Sequence, residues 1–280
     1  MTATEHLPGE AAVLPLAAHE NFPVALRFLD RRTRAHLTAI YGFARLVDQI
    51  GDEVAGDRRA QLDAFEADTN LVFDGEPEHP LLRRLQPTAR ACGFPREPLL
   101  RLIEANRRDQ DVKAYETFDE LVGYCDLSAN PVGELVLHVF GAGTPDHIAL
   151  SDRVCTALQL AKHWQDVAED RAAGRIYLPA EDLDRFGVTS GDLDAPAAGV
   201  ELRALVAFEV ERARALLDEG APLVGRLHGR GRIAVAGYVG GGRAALDAID
   251  AAGHDVLAGP PKAGKARRAL STLSTYARRR

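Results

Sequence analysis

Cysteine is scarce in this sequence, which contains only Cys92, Cys125 and Cys155. Their odd number and scattered positions fit neither a disulfide framework nor the spacing of a metal-binding motif. The scarcity therefore argues against a small fold held together by disulfides, and it is typical of reduced thiols in the cytosol.

Long apolar runs and an excess of positive charge are missing as well. No stretch approaches the roughly 18 apolar residues of a membrane-spanning helix, and the N-terminal stretch lacks the basic residues of a secretory signal. A net charge of −7 argues against nucleic acid as a partner. We therefore expect a cytoplasmic protein, with any membrane contact peripheral and at the inner face of the membrane.

Alternating strand patterns are rare too, whereas apolar residues recur at a spacing of three to four through most of the 280 residues. This pattern predicts an all-α fold. No break between helices is long enough to link separate domains, so we expect a single domain over 1–280, with its core at about 19–251. The predicted helices are 19–29, 32–55, 58–73, 79–92, 96–108, 117–140, 146–171, 180–187, 197–225 and 229–251.

The C-terminal segment 256–280 differs from the rest in composition. It contains seven basic residues and no acidic one, interleaved with Leu270, Leu273 and Tyr276 at helical spacing. Two interpretations stay open at this point: a frayed, solvated tail, or a short amphipathic segment that rests on anionic lipid.

The first of two acidic pairs lies in YGFARLVDQIGDE. At about 100° per residue, Tyr41, Arg45, Asp48 and Asp52 fall on one side of the predicted helix, and the large apolar residues fall on the other. Acidic residues at this spacing also occur on ordinary solvated helix faces. One pair alone therefore does not identify a site.

The second pair lies in QLAKHWQDVAEDR, where Asp166 and Asp170 share a predicted helix face with Gln159, Lys162 and His163. Four carboxylates that met across a cavity would repel one another unless cations were bound. Mg²⁺ is suited to that position because it prefers oxygen ligands and retains waters that bridge to phosphates. The two pairs thus predict a magnesium site that neutralises a diphosphate leaving group.

Together with TFDELVGYCDLSANPVGELVLHVFG between them, the two motifs resemble those of the squalene and phytoene synthases. The resemblance covers the chain from His19 to about Ile249. ENFPVALRFL, LTAIYGFARLVD and WQDVAED are similar to the hydroxysqualene synthase branch of bacterial hopanoid biosynthesis. The resemblance implies an isoprenoid synthase helical bundle around a central apolar tunnel, with Mg²⁺ as cofactor.

The resemblance also assigns roles to individual positions. The residues that match the catalytic positions of the family are Asp48, Asp52, Asp166 and Asp170, which bind Mg²⁺, and Tyr124. The residues that match substrate- and diphosphate-binding positions are His19, Tyr41, Arg45, Gln159, Lys162 and Arg175.

The sequence departs from the family pattern at several positions. Gln49 replaces a second acid in the first motif, Lys162 an asparagine, His163 an apolar residue and Glu134 an arginine. A lysine at position 162 either reaches a phosphate oxygen or displaces a metal ion. The departures leave the metal count and the exact substrate open.

The reaction implied by the resemblance converts presqualene diphosphate and water to hydroxysqualene and diphosphate, without NADPH. The alternative enzyme is a squalene or phytoene synthase that joins two prenyl diphosphates, such as farnesyl diphosphate. The alternative from another class is a catalytically silent relative that serves in assembly or binding, although all four aspartates are retained. Enzymes of the same pathway are the expected protein partners.

Overall fold

The computed structural model describes residues 7–18 and 29–278. Within these ranges the regular structure is helical, and the only pairing of β type is an isolated parallel bridge between Ala114 and Ile176. The prediction of an all-α fold is confirmed. The central apolar tunnel stays a prediction.

The contacts divide the chain into two compact units, and each is described by itself. The first unit comprises Met1–Asp111 and Leu127–Ile148, and the second comprises Val112–Asp126 and Ala149–Arg280. The single domain expected from the sequence stays a prediction.

The described part of the chain forms a succession of helices. In chain order they begin with α1 (Glu10–Val13), α2 (Arg31–Asp52), α3 (Arg58–Asp74), α4 (Pro80–Cys92), α5 (Glu97–Asp111), α6 (Phe118–Ser128), α7 (Asn130–Val139) and α8 (Pro145–Gln165). They continue with α9 (Val167–Ala172), α10 (Ala180–Phe186), α11 (Ser190–Leu193), α12 (Val200–Gly220), α13 (Leu223–Arg226), α14 (Gly229–Ala251) and α15 (Lys265–Ala277). Of the helices within the described ranges, none has both the length and the apolar character needed to cross a bilayer.

Helix α2 carries the first acidic pair in the first unit. Asp30 caps its N-terminus by accepting a hydrogen bond of 2.9 Å from the Thr33 N–H. Phe43, Val47 and Ile50 are fully buried in the hydrophobic core of this unit, and each such side chain contributes about 1.5–3 kcal/mol on burial. Their burial fixes the rotation of α2 and therefore the direction of its polar face.

Several predicted helices are wrong in their extent. The helix predicted at 117–140 is broken between α6 and α7, because Pro131 has no N–H to donate and lies in the first turn of α7. The helix predicted at 197–225 ends at Gly220, since Pro222 interrupts the backbone hydrogen bonds. The helix predicted at 19–29 falls almost wholly outside the described residues.

The C-terminal segment of the second unit forms a packed helix, α15, against α14. A Cβ at Gly240 would lie 2.6 Å from the Thr272 Cα, so the two backbones approach this closely only because residue 240 is glycine. Arg243 donates to Thr275 Oγ1 at 3.0 Å, and Arg232 donates to the backbone carbonyl of residue 276 at 2.9 Å. The interpretation as a frayed tail is therefore wrong for 265–277.

Candidate active site

The polar face of α2 carries the predicted residues of the first motif. Asp48 and Asp52 are exposed, and Tyr41 and Arg45 are half-buried. Arg45 donates a hydrogen bond of 2.7 Å to Glu53 rather than to either aspartate. The predicted separation of a polar face from a packing face is confirmed for this helix.

Helix α5 brings an amide to the first aspartate. Asn106 Nδ2 lies 3.4 Å from Asp48 Oδ1, and Gln110 donates to the Gly51 carbonyl at 3.0 Å. A Cβ at Gly51 would lie 2.2 Å from Asn106 Oδ1, so glycine at position 51 leaves room for the Asn106 side chain in this orientation. The position of Asn106 beside Asp48 thus depends on Gly51.

Asp48 lies in an acidic environment within the first unit. The protein atoms packed around its carboxyl raise its pKa to about 7, with Asn106 and Arg45 opposing the rise and Asp52 and Asp109 adding to it. Water still reaches the residue, which is exposed on one side. Neighbouring carboxylate oxygens suit a hard divalent cation such as Mg²⁺.

Two residues of this environment, Asn106 and Asp109, are absent from the sequence prediction. Both are buried, and they continue the apolar stripe of Leu99, Leu102 and Ile103 along α5. The sequence contains a signal for both residues, because they are polar at positions where the helical pattern predicts apolar side chains.

Two departures from the family pattern also lie in the first unit. Gln49 is buried, and its Nε2 donates to Glu53 at 3.4 Å while its Oε1 has no hydrogen-bond partner. Glu134 contacts Arg101, which supplies a neighbouring positive charge. Glu134 is therefore paired within the unit, whereas Gln49 leaves one buried acceptor unsatisfied.

The second acidic pair lies at a break between two helices. The helix predicted at 146–171 is wrong in this respect, because α8 ends at Gln165 and α9 begins at Val167. The N–H of Asp166 still donates to Lys162 O at 3.0 Å, and that of Asp170 donates to Asp166 O at 2.8 Å. The two aspartates therefore remain one turn apart.

Lys162 pairs with the first aspartate of this motif. Its ammonium contacts the Asp166 carboxylate, with the lysine side chain 54% exposed and the aspartate side chain 15% exposed. Because the Lys162 ammonium is exposed, it can move away from Asp166 without disturbing the hydrophobic core. A metal ion at Asp166 would therefore compete with a lysine for the same oxygen.

His163 links the second aspartate to an aromatic cluster. Its Nε2 lies 3.1 Å from the Gln159 amide nitrogen, and its Nδ1 lies 3.9 Å from Asp170 Oδ2. Burial lowers the pKa of the imidazole, and Asp170 opposes this. Because the Gln159 amide donates to Nε2 of a neutral ring, the ring proton is assigned to Nδ1, toward Asp170.

The aromatic cluster consists of Tyr115, Tyr124, His163 and Tyr177. His163 stacks on Tyr177 with centroids 3.7 Å apart, and Tyr124 stacks on Tyr177 at 6.0 Å. Tyr124, predicted as a catalytic residue, is buried within this cluster. A neighbouring cavity of about 10 Å³, with room for about one water, is lined in part by His163, Asp170, Arg175 and Tyr177.

The two pairs belong to different units, so the structure brings Asp48 and Asp52 together in one and Asp166 and Asp170 together in the other. Among the residues described within each unit, no three His, Cys, Asp or Glu side chains form a group that could hold a metal ion. His19 lies outside the described residues. The oxygen donors of each pair suit Mg²⁺, and their role in binding it stays a prediction.

Comparison with known proteins adds an independent line of evidence. The sequence model of the squalene/phytoene synthases matches residues 16–272. The hydroxysqualene synthase of Zymomonas mobilis is 34% identical over 215 residues, which cover 75% of this chain and 71% of that protein. The phytoene synthase of Mycobacterium tuberculosis is 34% identical over 220 residues, which cover 76% and 72%.

A solved structure extends the comparison to the fold. Squalene synthase HpnC from Alicyclobacillus acidocaldarius superposes with a TM-score of 0.81 and 46% sequence identity, covering 85% of this chain and 91% of that chain. The fold is therefore the helical fold of the isoprenoid synthases.

Proposed function

The chain belongs to the squalene/phytoene synthase family and is an isoprenoid synthase, and we propose that it converts presqualene diphosphate and water to hydroxysqualene and diphosphate. The C–O bond to the diphosphate breaks, and the resulting cyclopropylcarbinyl cation rearranges with opening of its three-membered ring. Water then adds to the rearranged carbocation, and the added water loses a proton. The similarity to the hydroxysqualene synthase of Zymomonas mobilis supports this reaction. The motifs LTAIYGFARLVD and WQDVAED support the same branch.

The proposed metal-binding residues are Asp48, Asp52, Asp166 and Asp170. The observation that carries this proposal is the position of Asp48, where packed protein atoms surround part of the carboxyl and Asp52 and Asp109 add negative charge nearby. A bound cation would relieve this repulsion. When bound, Mg²⁺ supplies Lewis-acid stabilisation of the departing diphosphate.

Arg45 and Tyr41 are proposed to bind the diphosphate from the polar face of α2. A guanidinium presents several N–H donors in one plane, which suits phosphate oxygens. Arg45 is already held on the acidic face by its 2.7 Å hydrogen bond to Glu53. This contact limits its freedom before substrate arrives, so less conformational entropy is lost on binding.

The aromatic cluster of the second unit is proposed to hold residues of the second motif in place. Tyr177 has His163 stacked on it, and His163 in turn faces Asp170 and Gln159. We propose that these contacts hold Tyr177 and Asp170 in fixed orientations.

A squalene synthase is the second candidate. The observation in its favour is the 46% identity to the squalene synthase from Alicyclobacillus acidocaldarius. Such an enzyme would join two farnesyl diphosphates and would need NADPH as reductant. A phytoene synthase, which would use geranylgeranyl diphosphate, is the further variant of this alternative.

Product analysis separates these reactions. Purified protein and Mg²⁺ are incubated in ¹⁸O-labelled water with presqualene, farnesyl or geranylgeranyl diphosphate, with and without NADPH, and the lipids are identified by mass spectrometry. The expected product is ¹⁸O-labelled hydroxysqualene from presqualene diphosphate without NADPH. Squalene formed only with NADPH, or phytoene from geranylgeranyl diphosphate, would contradict the proposal. Asp48→Asn supplies the background of uncatalysed solvolysis.

A correctly folded protein that turns over none of these substrates would favour the non-catalytic alternative. In that case, Mg²⁺-dependent binding of an unreactive diphosphate analogue, measured by calorimetry, would still test the role of the aspartates.

A further inference from the structure

Helix α15 turns an apolar side to the solvent. The outer face, as we call it, consists of the exposed residues Ala266, Leu270, Leu273, Tyr276 and Ala277. At about 100° per residue, they fall within about 120° of one another around the helix. Leu270 is 70% exposed and Leu273 is 65% exposed. A continuous exposed patch of this kind is typical of an interaction surface.

The opposite side of α15 attaches it to α14. This side consists of Arg268, Ser271, Thr272 and Thr275, and it lies against Gly240. An ordinary surface helix buries its apolar stripe and exposes its polar side, so the arrangement in α15 is reversed. Because the attachment does not use the leucines, this part of the outer face is left for another contact, whereas the ring of Tyr276 at its end has the Arg232 guanidinium 4.5 Å from its centroid.

Basic residues border the outer face on both sides. Lys265 lies on one edge, and Arg267 and Arg278 lie on the other, all of them exposed. The segment 256–280 contains seven basic residues and no acidic one, although the chain as a whole has a net charge of −7. An apolar stripe between cations matches the boundary between the headgroups and acyl chains of an anionic bilayer.

We propose that the outer face of α15 docks on the surface of an anionic lipid bilayer, with Leu270 and Leu273 at the level of the upper acyl chains and the basic residues against lipid phosphates. A second copy of this chain is a poorer occupant, because a symmetric contact would bring together two sets of the bordering cations Lys265, Arg267 and Arg278. The docking does not depend on the reaction proposed above. That reaction, with its apolar chains, adds a reason for membrane contact.

Vesicle flotation of the full-length protein tests the docking. Vesicles of phosphatidylcholine alone are compared with vesicles in which about a third of the lipid is phosphatidylglycerol, a proportion that gives the strong negative surface on which basic segments depend. We expect binding only to the anionic vesicles, with a decrease at high salt. The double variant Leu270→Ser/Leu273→Ser is expected to bind about tenfold or more weakly.

Control variants distinguish docking from a general loss of structure. Val200, on α12, is 78% exposed, and Val200→Ser should bind as the unchanged protein does. The charge variant Lys265→Glu/Arg267→Glu should lose anionic binding, whereas Arg90→Glu, at an exposed position of α4, should keep it. Helical content is compared by circular dichroism.

Three results would overturn the docking. One is the absence of binding to anionic vesicles, and another is unchanged binding by the double leucine variant. The third is a dimer in light scattering that the leucine substitutions dissociate, since a second copy would then be the occupant. None of these measurements uses enzymatic activity, so failure of the docking and failure of the proposed reaction are distinguishable.

Discussion

The ammonium of Lys162 contacts the carboxylate of Asp166, four residues further along the chain. If Mg²⁺ binds Asp166, it must compete with this ammonium for the same oxygen. We expect Lys162→Asn to lower the Mg²⁺ concentration required for half-maximal activity by a few-fold, because a neutral amide removes the competing charge. Initial rates measured over a Mg²⁺ titration check this.

The control is Arg90→Asn, which also removes a positive charge and lies at an exposed position of α4 in the first unit, and it should leave the titration unchanged. An unchanged Mg²⁺ requirement in Lys162→Asn, combined with a raised KM for the diphosphate substrate, would instead assign the lysine to a phosphate oxygen.

Asp48→Asn should separate activity from stability. We expect kcat to fall by about a hundredfold or more, because one charged ligand is lost. The melting temperature should stay the same or rise, since the substitution removes a carboxyl whose charged form is disfavoured mainly by the protein atoms packed around it and further by Asp52 and Asp109. Thermal unfolding and steady-state kinetics check the two parts, with Asp184→Asn at an exposed position as control. Full activity in Asp48→Asn would remove this residue from the metal role.

Glu209 on α12 should make stability depend on pH. Burial raises the pKa of its carboxyl to about 8 in the folded protein, with Arg212 opposing the rise and Asp182 adding to it, against an ordinary value of 4.5. Since the folded state holds this proton more tightly, its contribution to stability is complete below about pH 4.5 and is lost as the pH rises toward about 8.

Glu209→Gln cannot ionise, so its melting temperature should fall less between pH 6 and pH 8.5 than that of the unchanged protein, a range within and just above the titration window. Glu211→Gln, at an exposed side chain on the same helix, should keep the original dependence. If the melting temperature fell equally with pH in all three proteins, ionisation of Glu209 would not be the cause of the pH dependence.

Two glycines of α14 should respond in opposite ways to alanine. Gly240→Ala places a Cβ 2.6 Å from the Thr272 backbone, so we expect a loss of about 1–3 kcal/mol and faster amide exchange in α15. Gly237→Ala meets nothing within 4 Å and should stabilise the helix by up to about 1 kcal/mol. Denaturant unfolding and hydrogen exchange check both. Stabilisation by both substitutions would contradict the close contact at Gly240.

The sequence predicted the helices best where local chemistry determines their ends. Asp30 and Asp57 accept hydrogen bonds from the first turns of α2 and α3, and capping residues of this type are visible in a sequence. The break at Asp166 has no such local signal, because neither proline nor glycine stands there. Gln165, just before the break, contacts the Pro261 carbonyl 96 residues away, and a local pattern does not contain a contact of that range.

In the candidate site, too, the sequence predicted what depends on the geometry of one helix and missed what depends on contacts between helices. The helical wheel was sufficient to place Asp48 on a polar face, because residues of one helix share a fixed geometry. Asn106 and Asp109 reach that face only through the packing of α5 on α2, which a one-dimensional pattern does not specify. The pairing of Arg45 with Glu53, instead of an aspartate, was likewise decided among neighbouring acids by side-chain geometry.

The contact between Gly51 and Asn106 has an evolutionary consequence. Since a Cβ at position 51 would lie 2.2 Å from the Asn106 Oδ1, a lineage that acquires a larger residue at 51 must also lose or displace the amide at 106. The intermediate with only the first change would have to turn the Asn106 side chain away from its present position beside Asp48. The two positions should therefore drift as a linked pair, and sequences that depart at both mark lineages in which the surroundings of the first aspartate have been rebuilt.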